Sequence, residues 1–120
     1  MRHKKNNRIL GRNSNQRLHL LQNLSSSLLA HGSIVTTEAK AKELRKHFEP
    51  LVTKAKQALT LANRRMLISS LMHKTDIKSL LEVAKKQAKR PGGYLRITKL
   101  PVTRADAAHM ARVDIMEESK

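Results

Sequence analysis

Cysteine and tryptophan are absent from these 120 residues, and Phe48 and Tyr94 are the whole complement of Phe, Tyr and Trp. Without cysteine there is no disulfide, no thiolate nucleophile and no cysteine-based zinc site. With so few rings, the chain lacks the platforms on which unstacked single-stranded bases are held. Acids are also scarce: nine Asp and Glu stand against 25 Lys and Arg, a formal net charge of +16. A field of that size repels itself unless a large polyanion neutralises it, so nucleic acid is the expected partner. No apolar run reaches the roughly 18 residues of a membrane span, and the first residues have no apolar signal stretch, so neither a membrane partner nor Sec export is expected. The default place is the cytoplasm, and the length suits one domain.

Catalytic patterns are missing as well. Gly11, Gly32, Gly92 and Gly93 are the only glycines, and they show neither the GxxxxGK[ST] nor the GxGxxG spacing that cradles phosphates. His3, His19, His31, His47, His73 and His109 form no HExxH and no pair at metal-ligand spacing. Asp114, Glu117 and Glu118 gather three of the nine acids near the C-terminus, where charge balancing is a simpler reading than a metal-nuclease cluster. No catalytic residue, metal, cofactor or small-molecule substrate is expected.

What is present is cationic and unevenly placed. Residues 1–37 carry a net +6 with no acid at all, 38–66 carry +5, 67–93 carry +4 and 94–120 carry +1. Arg2, Lys4, Lys5, Arg8 and Arg12 fall in the first dozen residues, which show no apolar period. Such a segment buries too little to offset its own ordering entropy, so residues 1–12 read as a basic arm that becomes ordered on RNA. A solvated tail is the plainer alternative, and an organellar transit peptide is another.

Residues 13–120 read as a single α+β domain. Asn13 with Gln16 three residues later forms a capping box, and Leu18, Leu21, Leu24 and Leu28 give the following helix an apolar stripe up to His31-Gly32. Residues 33–37, Ser-Ile-Val-Thr-Thr, suit a strand. Thr36 or Thr37 caps a second helix with Ala41, Leu44, Phe48, Leu51, Ala55 and Leu59 along one side, supported by Glu38 and Lys42 one turn apart. Pro50 predicts a kink there or two abutting helices, and the unbroken stripe favours the kink. A third helix is expected from Leu61 to about His73, with Ala62, Met66, Leu67 and Leu71 inward. A fourth follows Thr75-Asp76 with Ile77, Leu80, Leu81, Ala84 and Ala88, and stops at Arg90-Pro91-Gly92-Gly93. The period then changes to two. Leu95 and Ile97 alternate with Tyr94, Arg96 and Thr98, and Ala111, Val113 and Ile115 with Met110, Arg112, Asp114 and Met116. A surface loop from Pro101 to His109 joins them, with Arg104 and Asp106 near its tip. The expected architecture is α-β-α-α-α-β-β in two layers, a small three-stranded sheet with helices packed on one face, plus the basic N-terminal extension.

Recognition must then run through phosphates, hydrogen bonds and shape, which suits folded RNA or a duplex. Asn6, Asn7, Asn13, Asn15 and Asn23 are interleaved with Arg8, Arg12 and Arg17, short hydrogen-bonding groups beside forked guanidiniums. Lys85, Lys86, Lys89, Arg90, Gly92, Gly93, Tyr94 and Arg96 form a second basic cluster, where two glycines permit close approach of backbone amides to a phosphate. Basic capping of a helix end explains that cluster equally well. Arg64 and Arg65 face RNA or merely solvate the third helix.

Several blocks, in order, resemble the bacterial large-subunit ribosomal protein L-seventeen family. They are Met1-Arg2-His3-Lys4-Lys5 with Arg8, Leu10 and Arg12; Arg17 with Asn23; Ile34-Val35-Thr36-Thr37; Lys40-Ala41-Lys42-Glu43-Leu44-Arg45; Glu49-Pro50-Leu51-Val52-Thr53; Asn63-Arg64-Arg65; and Gly92-Gly93-Tyr94-Leu95-Arg96-Ile97. The chain departs from the family near its C-terminus, at Arg104-Ala105-Asp106 and His109-Met110-Ala111. The resemblance implies the same fold and a non-catalytic protein lying on large-subunit ribosomal RNA near the peptide tunnel exit, beside other large-subunit proteins and as a single copy. It places the RNA-gripping head on Arg2, His3, Lys4, Lys5, Arg8, Arg12, Asn13 and Arg17, and the turn on Gly92, Gly93, Tyr94 and Arg96. A basic DNA-binding architectural protein of the nucleoid is the alternative, although the body reads as a self-sufficient monomer without paired helices or apolar wedges.

Overall fold

Seven elements follow one another in the computed structural model, which describes residues 3–57, 59–101 and 104–116. They are α1 (Ser14–His31), β1 (Ser33–Thr37), α2 (Glu38–Lys56), α3 (Leu61–Ser70), α4 (Asp76–Lys86), β2 (Leu95–Lys99) and β3 (Met110–Ile115). The strands form one antiparallel sheet in the order β1-β3-β2. This is the expected α+β arrangement, with β3, the last strand among the described residues, at the centre.

Local chemistry accounts for most of the boundaries. Asn13 caps α1 by accepting from the Gln16 amide at 2.9 Å, while Gln16 reaches back to the Asn13 amide at 3.4 Å, so two of the free donors at the helix start are satisfied reciprocally. Gly32, at φ 78°, ends α1 in the left-handed conformation that glycine adopts without strain, and its N–H donates to the Leu28 carbonyl. Thr37 and Thr60 cap α2 and α3 through their hydroxyls.

α2 is the axis of the body and touches the other three helices and all three strands. Its Ala41, Leu44, Phe48 and Val52 are fully excluded from solvent. It runs through Pro50 as one helix. Pro50 and Lys46 are both exposed, so the helical hydrogen bond that proline cannot make is lost on the side of α2 away from the core. The inner face of the sheet presents Ala111 and Val113 at 0% exposure with Leu95, while Ile34, Ile97 and Ile115 pack around them.

Several expectations about packing are corrected. Leu59 lies beyond the end of α2 and is 48% exposed, because the chain turns extended at Gln57 (ψ 166°). Ala62 and Met66 are exposed on α3, where Leu67 is the buried residue, since no other helix among the described residues covers them. α3 stops at Ser70, short of His73; the hydroxyls of Ser69 and Ser70 both donate to the Met66 carbonyl and compete with the helical ladder. Thr75 itself sits in helical geometry with no capping bond; instead the Asp76 and Ile77 amides donate to the His73 and Lys74 carbonyls at 3.1 and 3.3 Å, and the Asp76 carboxylate braces that turn by accepting from the His73 amide at 3.3 Å. Ala88 is exposed beyond α4, which ends at Lys86 before the Pro91 stop.

The end of β3 is fastened on both sides. The Ile115 amide donates to the Gly32 carbonyl and the Met116 amide to the Tyr94 carbonyl, and the buried Gln87 side chain donates to the Met116 carbonyl. At the start of β2, Arg45 and Glu49 of α2 act together: Arg45 donates to the Leu95 carbonyl at 3.2 Å, and Glu49 accepts from the Leu95 amide at 3.3 Å. Both groups of that edge residue are thereby satisfied. In the connection to β3, Asp106 pairs with Arg104 at 3.0 Å and accepts from the Ala108 amide, which builds the expected loop tip.

Candidate nucleic-acid interface

From His3 to Ile9 every residue is exposed, as a segment without an apolar period should be. The chain then turns at Leu10 and Gly11, both at positive φ (56° and 63°), and the Arg12 amide closes the turn on the Ile9 carbonyl at 3.2 Å. A left-handed leucine costs about 1–2 kcal/mol. Two charge-assisted hydrogen bonds offset it: Arg12 Nη1 donates to the Leu10 carbonyl and Arg17 Nη1 to the Arg12 carbonyl, each at 2.7 Å. Arg17 also reaches Ser14 Oγ at 3.2 Å. Arg12, Asn13 and Arg17 therefore set the angle at which the arm leaves α1.

The arm meets α2 at a buried carboxylate. The Glu43 side chain is 6% exposed and lies 3.1 Å from Lys46 Nζ and 4.0 Å from Arg8 Nε. Lys46 also donates to the Asn6 carbonyl at 2.8 Å. The arm thereby supplies part of the pairing of this buried carboxylate. Beside it lies a cavity of about 240 Å³ whose walls include Asn7, Arg8, Arg17, Lys46 and His47. His47 Nε2 is buried with no hydrogen-bond partner among the described residues. Burial holds the His47 pKa below the usual imidazole value, with a hydrogen bond to the Ser70 backbone partly opposing the shift. Asn6, Arg8, Arg12, Asn13 and Arg17 are thus brought together, while His3, Lys4 and Lys5 extend outward. Arg2 lies outside the described residues. The sequence gives no direct pointer to Lys46 or His47 as part of this site, although the Glu43–Lys46 spacing signals a helical pair.

The second cluster is only partly as expected. Gly92 and Gly93 are exposed, and Gly93 needs its glycine because φ is 65°. Arg96 is exposed on β2, and Arg90 is held by a hydrogen bond from its Nε to Gln87 Oε1 at 2.9 Å. Tyr94 is corrected: it is 1% exposed, not outward. Its hydroxyl accepts from Lys56 Nζ at 3.0 Å and donates to the Arg90 carbonyl at 3.3 Å, and Lys56 also bonds that carbonyl. The ammonium stands 5.1 Å from the ring centroid, a cation–π contact. The ring pins the Arg90–Gly93 turn to α2 instead of facing a ligand. Asn23 on α1 and Arg64 and Arg65 on α3 are exposed and lie apart from the cavity beside Glu43.

The described acids are mostly engaged inside the protein. Glu38 pairs with Lys42 at 2.9 Å and Lys99 at 3.6 Å, and the Lys42 hydrogen bond is the main reason its carboxyl lies below the usual range. Glu43, Glu49, Asp76, Asp106 and Asp114 each accept from a cation or a backbone amide. Among the described residues no group of three His, Asp or Glu could hold a metal ion, and no helix is long and apolar enough to cross a membrane. Glu117 and Glu118 lie outside the described residues. With most of the described acids engaged within the protein, the surface left to a partner is predominantly cationic, and it offers phosphate contacts.

Comparison with known proteins agrees with this surface. A family model described as ribosomal protein L17 matches residues 20–116. The large ribosomal subunit protein bL17 of Gemmatimonas aurantiaca is 49% identical over 118 residues, covering 97% of this chain and 98% of the relative. The protein of the same name from Zymomonas mobilis subsp. mobilis is 44% identical over 118 residues, covering 98% of this chain and 84% of the relative. The basic first dozen residues lie largely within these alignments. The chain belongs to the ribosomal protein L17 family.

Proposed function

We propose that this protein is a structural constituent of the large subunit of the cytoplasmic ribosome, gripping large-subunit ribosomal RNA near the peptide tunnel exit. The observation that carries the reading is likeness to two bL17 proteins over nearly the full chain. The geometry adds a mechanism. Lys4, Lys5 and the exposed part of Arg8 meet phosphates and release their counterions. The Leu10–Arg12 turn, fastened by Arg12 and Arg17, aims the arm, and the Glu43–Lys46 seat keeps it against α2. Arg64, Arg65, Asn23 and the Arg90–Arg96 turn add contacts from the body, where Tyr94 serves as a support. The protein works as a single copy beside neighbouring large-subunit proteins, with no reaction, cofactor or membrane.

Sedimentation of a tagged copy from its own cells, through sucrose gradients after low- and high-salt washes, tests this. Retention with the large subunit in the stringent wash is expected. A peak with bulk DNA would replace the reading with a nucleoid protein, and a peak of free protein would overturn both.

A further inference from the structure

The helices cover one face of the sheet and leave the other open. Register places Ser33, Asp114 and Arg96 in one row across the open face, and Val35, Arg112 and Thr98 in the next. Val35 is 58% exposed there, and Arg96, Thr98 and Arg112 are exposed with it. At the end of this face lies a cavity of about 630 Å³ whose walls include Ser33, Arg90, Arg96, Arg112 and Asp114. Three guanidiniums therefore share it with one carboxylate.

That carboxylate is already engaged. Asp114 accepts from Arg112 Nε at 2.9 Å, and Ser33 Oγ lies 3.4 Å from Arg112 Nη2, so two contacts fix the guanidinium plane and Nη1 has no partner among the described residues. Arg90 is oriented by Gln87, itself 1% exposed. The Arg96 guanidinium makes no hydrogen bond or ion pair among the described residues. Arg96 and Arg112 are diagonal neighbours on adjacent strands, a relation that spans about 7–8 Å, so one ligand strand can meet both. Planar forks held in this way match phosphate oxygens in pairs.

We propose that the open face of the sheet is a second phosphate-binding surface, on which Arg96 and Arg112, with Arg90 at the rim, hold the backbone of RNA independently of the arm. The inference rests on the ribosomal reading above, and it adds Arg112 and a surface built on rigid strands. Repeated phosphates suit this face better than an acidic protein segment does, because three arginines converge where Val35 is the one large exposed apolar residue of the sheet.

The cysteine-free sequence makes the test direct. Val35→Cys on the open face and Asn7→Cys on the arm each carry a tethered iron chelate into the assembled large subunit, and radical cleavage of ribosomal RNA is mapped. Cleavage from both positions, at different RNA sites, is expected. Cleavage from position 7 with none from position 35 overturns the open-face proposal while the ribosomal reading stands; no cleavage from either overturns that reading. Cuts from position 35 in a neighbouring protein instead of RNA assign the face to protein docking and also overturn the proposal. In parallel, Arg96→Gln, which breaks no internal bond, is expected to flatten the salt dependence of binding to purified large-subunit RNA by about one unit of log K per log salt. An unchanged slope counts against the proposal. Arg112→Gln is expected to act likewise, with its melting temperature measured to separate weaker binding from disruption of the Asp114 and Ser33 hydrogen bonds.

Discussion

Replacing Arg2, Lys4, Lys5 and Arg8 together by glutamine removes four of the five cations in the first dozen residues and spares the turn that Arg12 holds. The slope of log K against log salt falls by about 0.7–0.9 for each phosphate that is no longer neutralised, so four such phosphates predict a decrease of roughly 3. Arg8 already shares Glu43, at 4.0 Å, so its share is expected to be the smallest. A fourfold rise in salt then costs the parent chain about 60-fold more affinity than the variant. The body should not notice. Residues 3–9 are exposed, and Lys46 still pairs with Glu43 at 3.1 Å when Arg8 is gone. Filter binding to purified large-subunit RNA between about 50 and 200 mM salt, with thermal melting of the free proteins, measures both quantities. An unchanged slope would refute the arm as the main phosphate-binding segment; a large fall in melting temperature would show that the arm holds the body together instead.

Other substitutions probe the body. Phe48→Ala, at a residue with 0% exposure between α2 and its neighbours, should cost about 3–5 kcal/mol in urea unfolding; a near-neutral result would place the core elsewhere. Asn13→Ala should cost about 0.5–2 kcal/mol through removal of the capping box, read as a lower urea midpoint; an unchanged midpoint would show that the box does not hold the start of α1. His47 gives a pH signature. Because burial lowers its folded pKa from the ordinary 6.5, the folded state favours the neutral ring, and stability is full above 6.5 and declines as pH falls through the folded pKa. Urea midpoints measured across that window should fall for the parent chain, and His47→Gln should lack that part of the fall; identical pH profiles would show that the ring is not the cause.

Local signals in the sequence are the readable ones. The Asn13–Gln16 capping box and the Gly32 stop act within a few residues of themselves, and each is found where its spacing puts it. Apolar periodicity marks a side of a helix but not what covers it, which is why Leu44 and Phe48 are core while Leu59, Ala62 and Met66 face solvent. Tyr94 escapes the pattern for a related reason: alternation holds only inside a strand, and this residue lies just before β2, on a glycine turn that swings its ring toward Lys56. In the interface, the charge and glycine patterns locate the arm and the Arg90–Arg96 turn. They carry no trace of the Asn6–Lys46 hydrogen bond, 40 positions apart, or of the strand register that sets Arg112 beside Arg96.

The strand order also governs how the protein comes into being. β3 pairs with both other strands, and β1 and β2 do not pair with each other. The pairing of Ser33 with Asp114 spans most of the chain. While the polypeptide is being synthesised, β1 and β2 therefore emerge with no mate, and their backbone groups stay hydrated or exposed to stray pairing until residues 110–115 arrive. The sheet closes in a single late event around the newest segment, and a product truncated before residue 110 has no sheet to close.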